Sequence, residues 1–268
     1  MQKIIFDCGA NEGDNLNYYL QKKAVVVAIE ADPNLTKIIN KKYKKYIDSK
    51  KLFVENICLS NKKKKQIFFI NKKNSRHSTV FPNIKNNYYK VVVSADKLSN
   101  IVNKYLNKFN NLKIEYIKID IEGSDHIVLE DLITNKIYPH NMSLEMANTK
   151  TLDLIIQSKY ESFKFVNGYN EMLRKNKNSF FTSFSAGPYG NDILGKWYKK
   201  NSVLPYFFNN RFNWVDLHCK LQKSKFYEQD ILLDRHFVST FGFKFYLKKL
   251  LLALVGYIKL FIQLRLIK

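Results

Sequence analysis

The sequence predicts an α/β fold: a doubly wound, mostly parallel sheet with helices on both faces. Three observations lead there. Apolar strand-like runs alternate with amphipathic helical stretches through the first 170 residues. The first run, Lys3-Ile4-Ile5-Phe6-Asp7, breaks at once into a glycine-bearing acidic loop, Cys8-Gly9-Ala10-Asn11-Glu12-Gly13-Asp14. A second run, Ala24 to Ile29, ends in Glu30, seventeen positions past Gly13. Strand, tight turn, helix and an acid-tipped second strand describe a nucleotide-type cofactor site.

Six strands are expected, at 3–7, 25–30, 52–57, 115–120, 142–146 and 163–166. Their β-branched runs lack polar alternation, which suits strands covered on both faces. Helices are expected at 15–22, 33–45, 96–109, 125–135 and 150–158. The 62–65 lysine run and the 66–93 region between them read as a hairpin insertion with a solvated basic tip.

After Tyr169 the pattern changes. A Gly/Pro-rich loop, 183–192, precedes an aromatic stretch and Trp214-Val215-Asp216-Leu217-His218. If that last stretch is a strand, Asp216 and His218 share a face. The expected division is a Rossmann-like cofactor domain at 1–170, a substrate-side appendage at 171–236, and an amphipathic tail helix at 237–268. The longest uncharged run of the tail, 250–258, is far short of the ~20 residues that span a bilayer. On a helical projection Lys248, Lys249, Lys259 and Gln263 share a narrow side opposite Leu250, Leu254, Ile258 and Phe261. That pattern fits an anionic membrane interface or docking on protein.

The formal charge of +22 invites a nucleic-acid reading, but only five of the 45 basic residues are Arg. Bidentate recognition of phosphate or guanine favours Arg, so a specific nucleic-acid partner is disfavoured. Cys8, Cys58 and Cys219 are far apart and form no zinc or disulfide pattern. With a core strand beginning at residue 3 and no leader pattern, the expected location is cytoplasmic, peripheral at the inner membrane face if the tail binds lipid.

The acids of the first loop narrow the cofactor. Asp7, Glu12 and Asp14 surround the place where a pyrophosphate would sit, at a cost of several kcal/mol in a partly buried site. S-adenosylmethionine carries no phosphate and presents an ammonium and a sulfonium instead. The helix after Gly13 offers N–H groups to its carboxylate, and Glu30 offers acceptors to both ribose hydroxyls. Asp7, Gly9, Asn11, Gly13 and Glu30 are the expected cofactor-binding residues.

The loop 6–13, the segment Ile29-Glu30-Ala31-Asp32-Pro33 and the segment 117–125, with Asp120-Ile121-Glu122-Gly123, occur in an order that resembles the FkbM family of S-adenosylmethionine-dependent methyltransferases. Ile127-Val128-Leu129 extends the likeness, which covers roughly residues 3–146. Two features depart from it: Ala31-Asp32 separates Glu30 from Pro33, where proline more commonly follows the acid directly, and the extra N-terminal helix many such enzymes carry is lacking before the first strand. The resemblance implies a Rossmann-like methyltransferase sheet and methyl transfer, usually to a hydroxyl of a sugar or natural product.

Such a hydroxyl needs a general base. Asp120 at the fourth strand end and Glu122, aimed to the same side by a strand-like backbone, are the expected acceptor-side pair, with His126 as second choice for the base. Glu145 also faces the site. No metal is assigned, although Asp120, Glu122 and Asp125 offer an alternative oxygen set for a divalent ion. The 187–190 loop, with Tyr189, is a candidate lid. A small-molecule, glycan or lipid-linked acceptor is expected. The competing classes are a nucleic-acid methyltransferase and a non-catalytic membrane-associated module. Against the former, carboxylates rather than a base-stacking loop follow the fourth strand.

Overall fold

A computed structural model describes residues 2–61, 64–82, 87–109, 111–145, 149–167, 187–193, 196–210 and 215–223. The main sheet has seven strands: β1 (Gln2–Cys8), β2 (Val25–Ile29), β3 (Leu52–Glu55), β7 (Leu112–Ile119), β8 (Asn141–Glu145), β9 (Ser162–Asn167) and β10 (Val215–Lys220). Their order is β3-β2-β1-β7-β8-β10-β9. β1 is parallel to β2 and β7, and β7 to β8, whereas β10 runs antiparallel to both β8 and β9. The chain winds outward from β1 to β3, then returns to β7 on the other side of β1. Ligands bind in the crevice such a reversal leaves at the carboxyl ends of the strands. Gly9 and Asp120, which follow β1 and β7, stand there.

The apolar runs form central strands because both faces are covered. Ile4, Phe6, Val27, Ile117 and Ile119 pack on α4 (Leu98–Lys108), α5 (Asp125–Thr134) and α6 (Thr149–Gln157) through Ile101, Leu129, Leu132 and Ile155. Ile5, Val26 and Ala28 pack on α1 (Leu16–Gln21) and α2 (Pro33–Lys42) through Tyr19, Ile39 and the following Tyr43. Truncating a buried ring such as Phe6 typically costs ~3–5 kcal/mol.

The helix expected at 33–45 divides at Tyr43 into α2 and α3 (Lys44–Asp48). The departure at Asp32 has a local cause. Asp32 is the N-cap of α2, accepting from the Asn34 N–H at 2.8 Å, and Pro33 follows at the first helical position.

The insertion is more than a solvated hairpin. β4 (Cys58–Leu59), β5 (Lys64–Asn71) and β6 (Tyr88–Asp96) form a second sheet, ordered β4-β6-β5, with Phe68, Ile70 and Val93 on its buried side. Lys64 and Lys65 belong to β5 itself, not to the turn.

The stretch read as an appendage contributes β10 to the main sheet. Asp216 and His218 do share a face, and both are buried. Burial, then Lys164, pushes the His218 imidazole down to about 3. A further helix, α7 (Val203–Asn210), lies against the same sheet through Val203 and Phe207. Residues 183–186, Trp214 and the tail at 237–268 lie outside the described residues. Among the described residues, no helix is long and apolar enough to cross a membrane.

Candidate active site

Loop 9–15 is fixed at both ends. Gly9 and Ala10 donate their N–H groups to the Ile29 carbonyl at 3.0 and 3.1 Å, which ties the end of β1 to that of β2. Gly9 has φ +77°, and a Cβ there would lie 1.8 Å from the Asp120 carbonyl oxygen. Only glycine permits both. Gly13, at φ +80°, packs on Leu16 and Tyr43, and the Tyr43 hydroxyl donates to its carbonyl at 2.9 Å.

Glu30 closes the loop from the other side. Its Oε2 accepts the Asn11 N–H and its Oε1 the Asp32 N–H, both at 2.8 Å. Burial pushes its carboxyl up to about 7 against those hydrogen bonds. Each oxygen keeps a further lone pair for a ligand hydroxyl.

Asp7 is fully buried, and its partner is Lys118, 3.5 Å away. The Lys118 ammonium also sits 3.1 Å from Asp120 and donates to the Gly9 carbonyl at 3.3 Å. Burial works against that charge, but Asp120 and Asp7 outweigh it and keep Lys118 firmly protonated. Burial lifts Asp7 to about 6, with Lys118 opposing. Lys118 thus joins the Gly9 loop to the Asp120 carboxylate.

Strand β7 stops at Ile119, which corrects the expected strand-like path to Glu122. Residues 121–124 form a turn with Glu122 at φ +53° and Gly123 at φ +94°. The Thr79 hydroxyl pins this turn by donating to the Glu122 carbonyl at 2.8 Å. Burial, then Asp120 and Glu145, push the Glu122 carboxyl up to about 8. Glu145 is raised to about 7 by burial and Asp120.

A cavity of about 520 Å³ runs between these parts. Gly9, Asn11 and Glu30 line it on one side, and Asp120, Glu122 and Glu145 on the other. Leu35, Ile57, Leu59, Phe68 and Val80 supply an apolar wall. Asp7, Gly13 and His126 do not line it. Asp7 pairs with Lys118 and Gly13 shapes the loop, while His126 occupies the first turn of α5. Tyr189 is stacked on Tyr116 at 4.2 Å, part of the core below the site rather than a lid. The described residues hold no grouping of three or more acids, histidines or cysteines suited to a metal. Asp125 instead accepts from the Ile121 N–H at 3.4 Å.

Sequence reasoning missed the roof. Residues 74–78 of the insertion cover the cavity. Arg76 pairs with Asp14 at 2.8 Å, and His77 lies 3.9 Å from Glu122. The acidity of the loop is therefore partly offset by a cation 62 positions away in sequence. Only the fold brings these residues together; no local pattern announces it.

The chain matches the methyltransferase FkbM domain family over residues 7–174, more than half its length, and belongs to that family. Several solved methyltransferase structures are similar at low identity. Precorrin-6y C5,15-methyltransferase from Geobacter metallireducens GS-15 is 9% identical with a TM-score of 0.37, over 84% of this chain and 82% of that one. M. capricolum TrmK, solved with S-adenosyl-homocysteine, is 14% identical with a TM-score of 0.36, over 91% and 70%. The N-terminal domain of human METTL16, also solved with that product, is 10% identical with a TM-score of 0.36, over 83% and 63%. No curated protein matches the chain.

The protein is a methyltransferase of Rossmann-like fold whose cofactor is S-adenosylmethionine. The residues present suit that group. Glu30 offers unused lone pairs to vicinal hydroxyls, the apolar wall suits a flat heterocycle, and Gly9 keeps the loop clear of side-chain bulk.

Proposed function

We propose that the protein methylates a hydroxyl of a sugar, glycan or natural product, with Glu122 as general base and Asp120 as the group that orients the acceptor. One observation carries this reading: Glu122, raised to about 8, stands on the same cavity wall as Asp120 and opposite Glu30. A carboxylate with so high a proton affinity is a far stronger base than an ordinary one, and matching a base to the working pH is what general-base catalysis rewards.

When bound, S-adenosylmethionine supplies a methyl group already activated on its sulfonium. Gly9, Asn11 and Glu30 hold the cofactor. Asp120, fixed by Lys118, accepts a hydrogen bond from the acceptor and sets its approach. Glu122 takes the proton of the attacking hydroxyl. The insertion's roof keeps water out, and alignment then supplies much of the rate. Glu122 is favoured over His126 because it lines the cavity. Carboxylates at this wall suit polyhydroxylated acceptors, whose hydroxyls donate to them, and repel phosphate. A membrane-associated glycan or lipid-linked acceptor fits the basic, apolar composition of residues 245–268.

The test is transfer of labelled methyl from S-adenosylmethionine to glycan and small-molecule hydroxyl acceptors. A methyl ether survives mild alkali, whereas a methyl ester is cleaved. Alkali-stable label that falls ~10²–10⁴-fold in Glu122→Gln, with cofactor affinity kept, supports the reading. Label found only in esters or on nitrogen contradicts it.

A further inference from the structure

Residues 56–95 carry eight Lys, one Arg and no acid. Most of this stretch is the second sheet and its loop, and its strands have two unlike faces. Phe68, Ile70 and Val93 point inward, and Phe68 lines the cofactor cavity. The alternate residues point outward, where Ile67 stands opposite Val92 and Phe69 opposite Lys90. Ile67 is 48% and Val92 67% exposed, and nearby Phe81 is 60% exposed. Four of the six large exposed hydrophobics among the described residues fall in this stretch. The Lys90 ammonium lies 5.8 Å from the Phe69 ring centre, at the edge of the apolar strip, and Lys65, on the same face as Ile67, is exposed at its end.

Exposed aliphatic side chains in a lysine rim are costly in water and need a partner. The chemistry selects one. Lysines without acids attract an anionic surface and work as point charges, so they do not require a shaped site. Ile67, Val92 and Phe81 gain nothing from phosphates alone but gain from the acyl boundary beneath lipid headgroups. We propose that the outer face of β5 and β6 docks on an anionic lipid bilayer. The strand that makes this contact with Ile67 lines the cavity with Phe68, so docking holds the active site within one strand's thickness of the membrane. These residues are separate in sequence from the 237–268 tail, and the proposal stands independently of which acceptor is methylated.

Flotation of the full chain with phosphatidylcholine vesicles, with and without phosphatidylserine, tests it. The wild type should float with the anionic vesicles and lose this with added salt. Ile67→Ser/Val92→Ser should reduce partition about tenfold, and Lys65→Glu/Lys90→Glu should do the same without touching the apolar strip. S-adenosyl-homocysteine affinity of both variants should stay at the wild-type value, which certifies their folding. Equal partition of variants and wild type would overturn the proposal and assign any lipid binding to the tail. So would a wild type that ignores both vesicles, whether it binds polyuridylate or forms a dimer that Ile67→Ser/Val92→Ser dissolves.

Discussion

The Asp120 carbonyl oxygen occupies the space in which a side chain on Gly9 would begin, 1.8 Å from the Cβ such a residue would carry. The Asp120 N–H also donates to the Cys8 carbonyl at 3.1 Å, so the ends of β1 and β7 are locked together at this point. The loop that opens at Gly9 and the turn that follows Asp120 are therefore one mechanical unit.

Gly9→Ala should disrupt that unit, because both the backbone at φ +77° and the Asp120 carbonyl must move. The expected cost is ~2–4 kcal/mol of stability, with loss of S-adenosyl-homocysteine binding. Denaturant titration and calorimetry read the two effects.

Lys118→Met should be as severe. It leaves Asp7 buried without its cation and releases both Asp120 and the Gly9 carbonyl. Removing one partner of a buried pair costs ~3–5 kcal/mol. A double variant, Lys118→Met/Asp7→Asn, should recover part of that stability but not the activity, since Asp120 stays unanchored. Full recovery of activity would show that Lys118 serves Asp7 alone.

Stability should fall as pH rises from about 6.5 to 8. Glu30 and Glu145, raised to about 7, and Glu122, raised to about 8, bind protons more tightly folded than unfolded. Their contribution is complete below the ordinary carboxylate range and is lost as pH climbs through the folded values. His218, lowered to about 3, acts oppositely, but its window closes near 6.5. The expected loss is ~1–3 kcal/mol, after discounting for partial exposure. Melting temperatures across this range check it, and Glu122→Gln should flatten the slope.

Turnover should follow the opposite sign. The base must be ionised, so the rate should climb through about pH 8 and then level. A rate already at its plateau by pH 6 would remove Glu122 from that role.

Arg76→Ala tests the roof. Its pair with Asp14 is half exposed, so the loss in fold stability should be under ~1 kcal/mol. Cofactor affinity should weaken by no more than about fivefold, since the Thr79 hydroxyl still fastens the insertion at Glu122.

The strands at β1, β2 and β7 were readable because their uninterrupted apolar runs leave no exposed face to encode. The same logic hid β10. Val215-Asp216-Leu217-His218-Cys219-Lys220 alternates as a half-exposed strand would, yet Asp216 and His218 are buried within the sheet. Glu30 and Asp120 stood out as acids at strand ends. Glu122 reached the cavity by a left-handed turn rather than an extended path, a backbone state that its neighbour Gly123 hints at but does not specify. Arg76 and His77 carried no local signal, because their partners Asp14 and Glu122 lie 62 and 45 positions away.

Calorimetric titration of S-adenosyl-homocysteine into the wild type and Glu30→Ala tests the central claim most directly. The cavity between the first loop and β2 predicts one site per chain in the wild type and at least about tenfold weaker binding in the variant. Equal affinity in both proteins, or no binding to the wild type, would contradict the placement of the cofactor at Glu30.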